Sequence, residues 1–399
     1  MEQLDVLFLL LGAVMILSMH AGFAFLEAGT TNYKNQVNAF NKILFDWSVT
    51  TLIYFLVGFP IAYGIALYIN PDYLTNNYGY DLVRFFFLVG FAACIPAIIS
   101  GGICGRMKFY AQTIAGIFIA AVIYPFFEGL VWGQIPFMGQ AQSLFHSLFG
   151  DVFHDFAGSV VVHSIGGWIA LPAIYLLGSR SGRYSGSFDI RPSNVPFLAL
   201  GSWILIVGWF GFNVMSSQKI EGISGLVAIN SLMAMAGGCI SGLLFSKNDV
   251  GFTHNGALAG LIAICAGSNV VHPLAALVIG GIAAFIFIKG FHFETETLKI
   301  DDVLGVWPLH GICGTWGGIA AGIFGRQSLG AVTNLNFLAQ LSGSLIGVLY
   351  ALLTGFILYF IIDKVCGLRM NEEDEYIGSD LAFHQVEANA HTSIFSSSK

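Results

Sequence analysis

Eleven apolar runs, each of 18 residues or more, follow one another between residue 5 and residue 362. A run of that length is too apolar all round for a surface helix, and it can cross the roughly 30 Å hydrocarbon core of a bilayer as an α-helix. The approximate limits are 5–28, 44–69, 84–104, 110–127, 152–178, 195–216, 223–245, 252–269, 271–289, 303–324 and 335–362. Charge content points the same way. Asp, Glu, Lys and Arg make up 10% of the 399 residues, against about a quarter in a soluble domain. That is too little to cover a large soluble all-helical protein, the alternative reading. The expectation is an all-α polytopic membrane protein, with eleven transmembrane helices in residues 1–364 and a polar tail in residues 365–399.

The first residues, "MEQLDVLFLLLG", are acidic and lack the basic n-region of a secretory signal peptide, so they read as the first helix of the mature chain. The six cysteines fall mostly inside apolar runs and form no CxxC pair, which suggests neither a disulfide framework nor a zinc site. Of the sixteen Lys and Arg residues, only Arg84, Lys219 and Arg326 fall on one side of the alternating connections; the rest share the other. The excess of positive charge marks the cytoplasmic side. The N-terminus is therefore expected outside and the tail inside.

Two of the runs carry the same polar pattern. "DFAGSVVVH" ends in His163 eight residues after Asp155, and "DVLGVWPLH" ends in His310 eight residues after Asp302. Spans five and ten enter from opposite faces, so the pattern suggests an inverted repeat of spans 1–5 and 6–10. Eight residues of helix rise about 12 Å, which would bring both imidazoles near the bilayer midplane. A single histidine on an apolar helix is usually a satisfied core residue. Two at matched depth are costly enough to suggest a pathway. Metal ligation is the competing reading, but the positions one turn on are Gly167 and Gly314, which offer no ligand, and no HExxH occurs. Adjacent neutral imidazoles can instead bond ring nitrogen to ring nitrogen and pass a proton. Such a path suits a small solute that crosses neutral.

Across nearly its whole length the sequence resembles the ammonium transporter family (Amt/Mep/Rh), in its bacterial and archaeal Amt branch. The matching stretches include "HAGFAFLEAG" (20–29), "KNQVN" (34–38), "FAACIPAIISGGICGRMKF" (91–109), "DFAGSVVVHSIGGW" (155–168), "GWFGFN" (208–213), "NGALAGL" (255–261), "DDVLGVWPLHGICGTWG" (301–317) and the tail "GLRMNEEDEYIGSDLAFH" (367–384). The resemblance implies an ammonium transporter or channel for nitrogen uptake in the cell (inner) membrane, a homotrimer without a cofactor, a metal or a nucleic-acid partner. It implies a recruitment site for ammonium formed by Trp132, Ser216, Phe87, Phe91 and Asp155. Phe91 and Phe212 resemble a stacked phenyl gate, and His163 and His310 the twin histidines of the pore and its proton relay. It also implies that the tail takes part in control by a trimeric PII signal protein at the cytoplasmic face.

Each residue has a plainer reading. Among 36 Phe residues any one is more often packing, Trp132 could anchor at the interface, and Asp155 could cap a helix. Asp302 is expected to cap span ten. Gly105 stands where many relatives carry Glu, and "FNVMSS" leaves open whether Ser216 or Ser217 is the site hydroxyl. His20, His254 and His272 sit where relatives often have other residues; the first two are expected to pack in spans and the third to lie in an outer loop. His146, Asp151 and His154 cluster outside, more as a solvated loop than as a metal site. Three rivals stand beside transport: an Rh-type gas channel, a membrane sensor that binds ammonium with little or no transport, and an intramembrane enzyme. The enzyme lacks a GxGD or HExxH signature, and the "GLR…EEDE" tail with Trp132 favours the Amt branch over the Rh type.

Overall fold

The computed structural model describes residues 2–133, 136–186 and 191–388, the side chains of 136–139 excepted. In chain order its principal helices are α1 (Gln3–Thr30), α2 (Tyr33–Tyr63), α3 (Asn76–Ile103), α4 (Phe109–Trp132), α5 (Pro136–Phe149), α6 (Ser159–Leu177), α7 (Val195–Ser217), α8 (Ser224–Phe245), α9 (Val250–Ile264), α10 (Pro273–Thr297), α11 (residues 307–324), α12 (Phe337–Cys366) and α13 (Glu372–Ile377). Among the described residues the only β pairing is one isolated bridge between Met107 and Arg369. Among the described residues nine helices are long and apolar enough to cross a membrane, and the chain is a multi-pass membrane protein.

The eighth and tenth apolar runs correspond to α9 and α11, which are not among those nine. α9 has 15 residues, and α11 is diluted by five glycines, Pro308 and His310. Both are walled by other helices along much of their length: residues 256–264 of α9 are all buried, as are 307–311 of α11. Side chains that face protein do not need the apolarity that lipid demands.

Four helix starts differ by four residues or more from the limits of the apolar runs; α3 begins at Asn76 rather than 84. α2 begins at Tyr33 rather than residue 44, because its polar first turns are paired inside the protein. Gln36 Nε2 donates to the Ala28 carbonyl at 3.0 Å, and Lys42 meets Glu27 at 3.0 Å, both partners buried. α6 begins at Ser159 rather than 152, and α11 at Trp307 rather than 303. Asp155 and Asp302 therefore stand before their helices, so the 12 Å helical rise from aspartate to histidine does not apply; each histidine sits in the first turns instead.

α1 packs most extensively along α7, while α8, α9 and α10 pack as a trio. α6 runs between α3 and α12, and its first turn meets α11. The start of α6 is thus enclosed on all sides by helices.

At the end richer in Lys and Arg, buried Arg106 donates to the carbonyls of Gly178 (2.7 Å) and Asp301 (2.6 Å). The Asp301 carboxylate takes Arg180 at 2.8 Å and Arg183 at 3.1 Å. Burial alone would raise the Asp301 carboxyl, but the hydrogen bonds and charge of Arg180, with Arg106 behind, outweigh it and hold the group well below the usual carboxylate range. The tail folds back onto the same end. Asp380 accepts from the backbone N–H groups of Val37 (3.0 Å) and Asn38 (2.8 Å), capping the α-helical start of α2. Lys34 donates to the carbonyls of Glu375 and Tyr376, and Ser379 donates to Asn35 at 2.6 Å. The last few residues, for which disorder is expected from their polar composition, lie outside the described residues.

Candidate functional site

The site is assembled where α6 and α11 begin. Each helix opens with a π turn, Ser159–Ser164 and Trp307–Ile312, and each π turn carries one of the two histidines. Such turns are rare and often accompany function. Asp155 organises the first of them. Its Oδ1 accepts from the N–H groups of Gly158 (3.0 Å) and Ser159 (2.9 Å), and its Oδ2 from Val160 and Val161, both at 2.8 Å. All four donors of the opening turn are satisfied by one carboxylate. Asp302 does the same job more thinly, accepting from Trp307 N at 2.8 Å.

Glycines let the two turns touch. A Cβ on Gly167 would strike the backbone nitrogen of Gly311, and one on Gly314 the backbone of Ser159 and Ser164. With neither present, His163 Nδ1 and His310 Nδ1 come to 3.2 Å, both rings buried. One nitrogen donates and the other accepts, so the bond is complete with both rings neutral. The indole of Trp209 stacks on His163 at 5.1 Å and 24°.

Outward from this pair lies Phe212, 5.5 Å from His163 between ring centres, and Phe91 stacks on Phe212 at 3.9 Å and 17°. Above the stack is a pocket of about 200 Å³ lined by Arg84, Phe87, Leu88, Phe91, Trp132, Phe156, Ser216 and Gln218. The Trp132 indole N–H is committed to the Asp155 carbonyl at 2.7 Å, which fixes the ring. Ser216 donates its hydroxyl proton to the Phe212 carbonyl at 2.7 Å, which leaves its oxygen lone pairs free to accept from a solute. On the opposite side of the pair, His310 faces Phe23 at 6.4 Å and a small cavity of about 10 Å³.

Four of the five residues expected at the recruitment site, Trp132, Ser216, Phe87 and Phe91, line one pocket. Phe91 and Phe212 form the stack and the histidines meet beneath it. Asp155 is not in that lining: its carboxylate is spent on backbone N–H groups, and it reaches the pocket only by holding Trp132. Ser217 donates to the Lys219 carbonyl at 2.7 Å, and of the two serines it is Ser216 that lines the pocket. Arg84, Leu88, Phe156 and Gln218 were not anticipated. Arg84 lies over the Tyr63 ring at 4.4 Å, and the signal for it was its place as one of three basic residues on the sparse side.

The remaining histidines have local partners. His20 bonds the Ile16 carbonyl (3.2 Å) and packs edge-on to Trp47; His254 bonds Ser202 (2.5 Å); His272 accepts from Leu274 N (3.2 Å). In the outer cluster His154 bonds Asn269 (3.0 Å), and Asp151 caps Val152 and Asn336. Among the described residues no group of three or more His, Cys, Asp or Glu is placed to hold a metal.

Comparison with known proteins gives a consistent picture. The Ammonium Transporter Family model matches residues 7–389. The chain is 38% identical over 401 residues to "Ammonium transporter Amt2" of Methanocaldococcus jannaschii, covering 96% of this chain and 91% of that one. It is 36% identical to "Ammonium transporter Amt2" of Archaeoglobus fulgidus, covering 96% and 88%. Among solved structures it superposes on a "Sensor Amt Protein" with a TM-score of 0.85 at 32% identity, covering 95% and 98%. It shares the fold of Candida albicans Mep2, with a TM-score of 0.79 at 21% identity, covering 94% and 88%.

Proposed function

The chain belongs to the ammonium transporter family, and from that premise we propose that it recruits ammonium at the outer pocket, deprotonates it and conducts ammonia past the twin histidines. The observation that carries this reading is the 3.2 Å contact of His163 with His310 directly beneath the Phe91–Phe212 stack.

The faces of Trp132, Phe87 and Phe91 attract a cation through their ring quadrupoles, and Ser216 accepts one of its N–H bonds. Below the pocket the walls are apolar and the stacked rings leave no passage, so the rings must swing apart for each solute. Taking a bare cation through such a wall costs many kcal/mol, whereas neutral ammonia loses far less hydration. Potassium cannot shed a proton and is excluded by chemistry rather than by size. The proton left behind is received by the histidine pair and, passed on to the far side, makes transport electrogenic.

The finer topology is part of the same proposal: eleven crossings in residues 1–364, an inverted repeat of spans 1–5 and 6–10, the N-terminus outside, and the tail from residue 365 in the cytoplasm. The matching π turns of α6 and α11, each preceded by its capping aspartate, support the repeat. The resemblance extends the proposal to a homotrimer in the cell (inner) membrane and to a PII-type protein acting at the tail.

A second reading is an ammonium-binding sensor with little or no transport, favoured by the likeness to the protein described as "Sensor Amt Protein". Uptake of ammonium and methylammonium into proteoliposomes separates the two. We expect uptake by the wild type, and for Trp132→Leu an apparent KM raised about tenfold, corresponding to about 1.4 kcal/mol of lost cation–π attraction. Ammonium binding without uptake in the wild type would favour the sensor.

A further inference from the structure

Resting on the pore reading above, we propose that Glu27 of α1 takes the proton that the His163–His310 pair passes inward, across one small polar molecule held against Asn255. Residues 23, 27 and 31 recur at four-residue spacing and so share one face of α1. Phe23 contacts His310, with ring centres 6.4 Å apart. Glu27 follows one turn, about 6 Å, further toward the basic end. Phe23, Glu27, Asn255, Leu309 and His310 line one cavity of about 10 Å³, which is at the lower limit for a single water.

Two polar atoms at this cavity lack a hydrogen-bond partner: Asn255 Oδ1 and Glu27 Oε1. Lys42 Nζ lies 3.0 Å from Glu27 Oε1 as an ion pair, and Ser100 donates to the other carboxylate oxygen. Glu27 is 2% exposed. A buried carboxylate whose Oε1 faces the Lys42 ammonium and which shares a one-molecule cavity with an imidazole is placed to receive a proton. Lys42 supplies the countercharge such a carboxylate needs when buried. Polar groups continue beyond it. Thr31 is buried one turn on, and a cavity of about 630 Å³ opens at Asn32, Lys34 and Asn35.

In the step itself, His310, protonated through its partner, gives an N–H proton to the bridging water or ammonia. That molecule gives one of its own to Glu27. The imidazole returns to neutral, the carboxylate becomes a carboxylic acid, and the bridge is unchanged. Release toward Thr31 and the wide cavity restores the carboxylate.

The test is ammonium-driven current through purified protein in planar membranes, run beside proteoliposome uptake and a Trp132 fluorescence titration with ammonium. Glu27→Gln strands the Lys42 charge, so Glu27→Gln/Lys42→Met is measured with it, which removes both charges. We expect current at least tenfold below wild type in both variants, ammonium binding within twofold, and recovery of current in Glu27→Asp. An ion pair that only ties α1 to α2 would let the neutral double variant conduct; current within twofold of wild type there overturns the proposal. A wild type that takes up ammonia with no current removes the proton Glu27 would carry and overturns it too, while leaving the pore standing. A wild type with neither uptake nor current overturns the pore reading as well.

Discussion

Replacing Asp155 with alanine is expected to cost about 4 kcal/mol or more of stability and to abolish transport. Four backbone N–H groups, at 2.8 to 3.0 Å, depend on this one carboxylate. All belong to the buried opening turn of α6, and each stranded buried donor costs about 1–3 kcal/mol. The same turn carries His163, so its loss also displaces the ring that meets His310. Asparagine in place of Asp155 should fall between, because its one carbonyl oxygen can serve two of the four donors while its NH₂ faces the others. Asp302 makes its one close bond to Trp307 by comparison, and Asp302→Asn should cost about 1–2 kcal/mol. Thermal unfolding in detergent, paired with proteoliposome uptake, checks the order Ala, Asn, wild type. An Asp155→Ala protein that melts with the wild type and still transports would show that the cap is dispensable.

Gly167→Ala should reduce uptake about a hundredfold although it adds one methyl group. That methyl would overlap the Gly311 backbone, which has no side-chain end to swing away. α6 and α11 must part by roughly 1 Å, a displacement that costs about two orders of magnitude where reacting groups must align. His163 and His310, now at 3.2 Å, would then lie beyond hydrogen-bond reach. Gly225→Ala is the control, since nothing lies within 4 Å of its Cβ position; uptake there should stay within twofold of wild type. Equal uptake by the two variants would mean that the close crossing of α6 and α11 has no bearing on the path.

Much of this site was legible because its chemistry is written in residue types that lipid excludes. Histidines 163 and 310 stand out in apolar runs at matched spacing, and the aromatic and serine positions lie in motifs long enough to align. What the sequence hid is whatever depends on partners distant along the chain. Gln36 and Lys42 look like loop residues until the Ala28 carbonyl and Glu27 are seen to take them inside. Asp155 reads either as a charge offered to a cation or as a helix cap, and the fold turns both its oxygens onto four amides. The short helix α5 lies in a segment without an apolar run; Gln142 ties it to the backbone of Phe153, at 2.9 and 3.0 Å. Arg84 was visible as an oddity of charge, but its place in the pocket wall over Tyr63 needed α3 to be set against α2. α9 and α11 read as ordinary membrane spans, yet their burial among other helices relaxes the length and apolarity that lipid contact would impose.

The most direct measurement is ammonium uptake and ammonium-driven current for His163→Ala beside the wild type, at equal folded protein, with binding followed by Trp132 fluorescence. The expected result is that ammonium still binds at the outer pocket while current falls at least a hundredfold, because the imidazole that receives the proton is gone. Uptake and current within twofold of wild type in His163→Ala would contradict the central claim that the paired imidazoles carry the path.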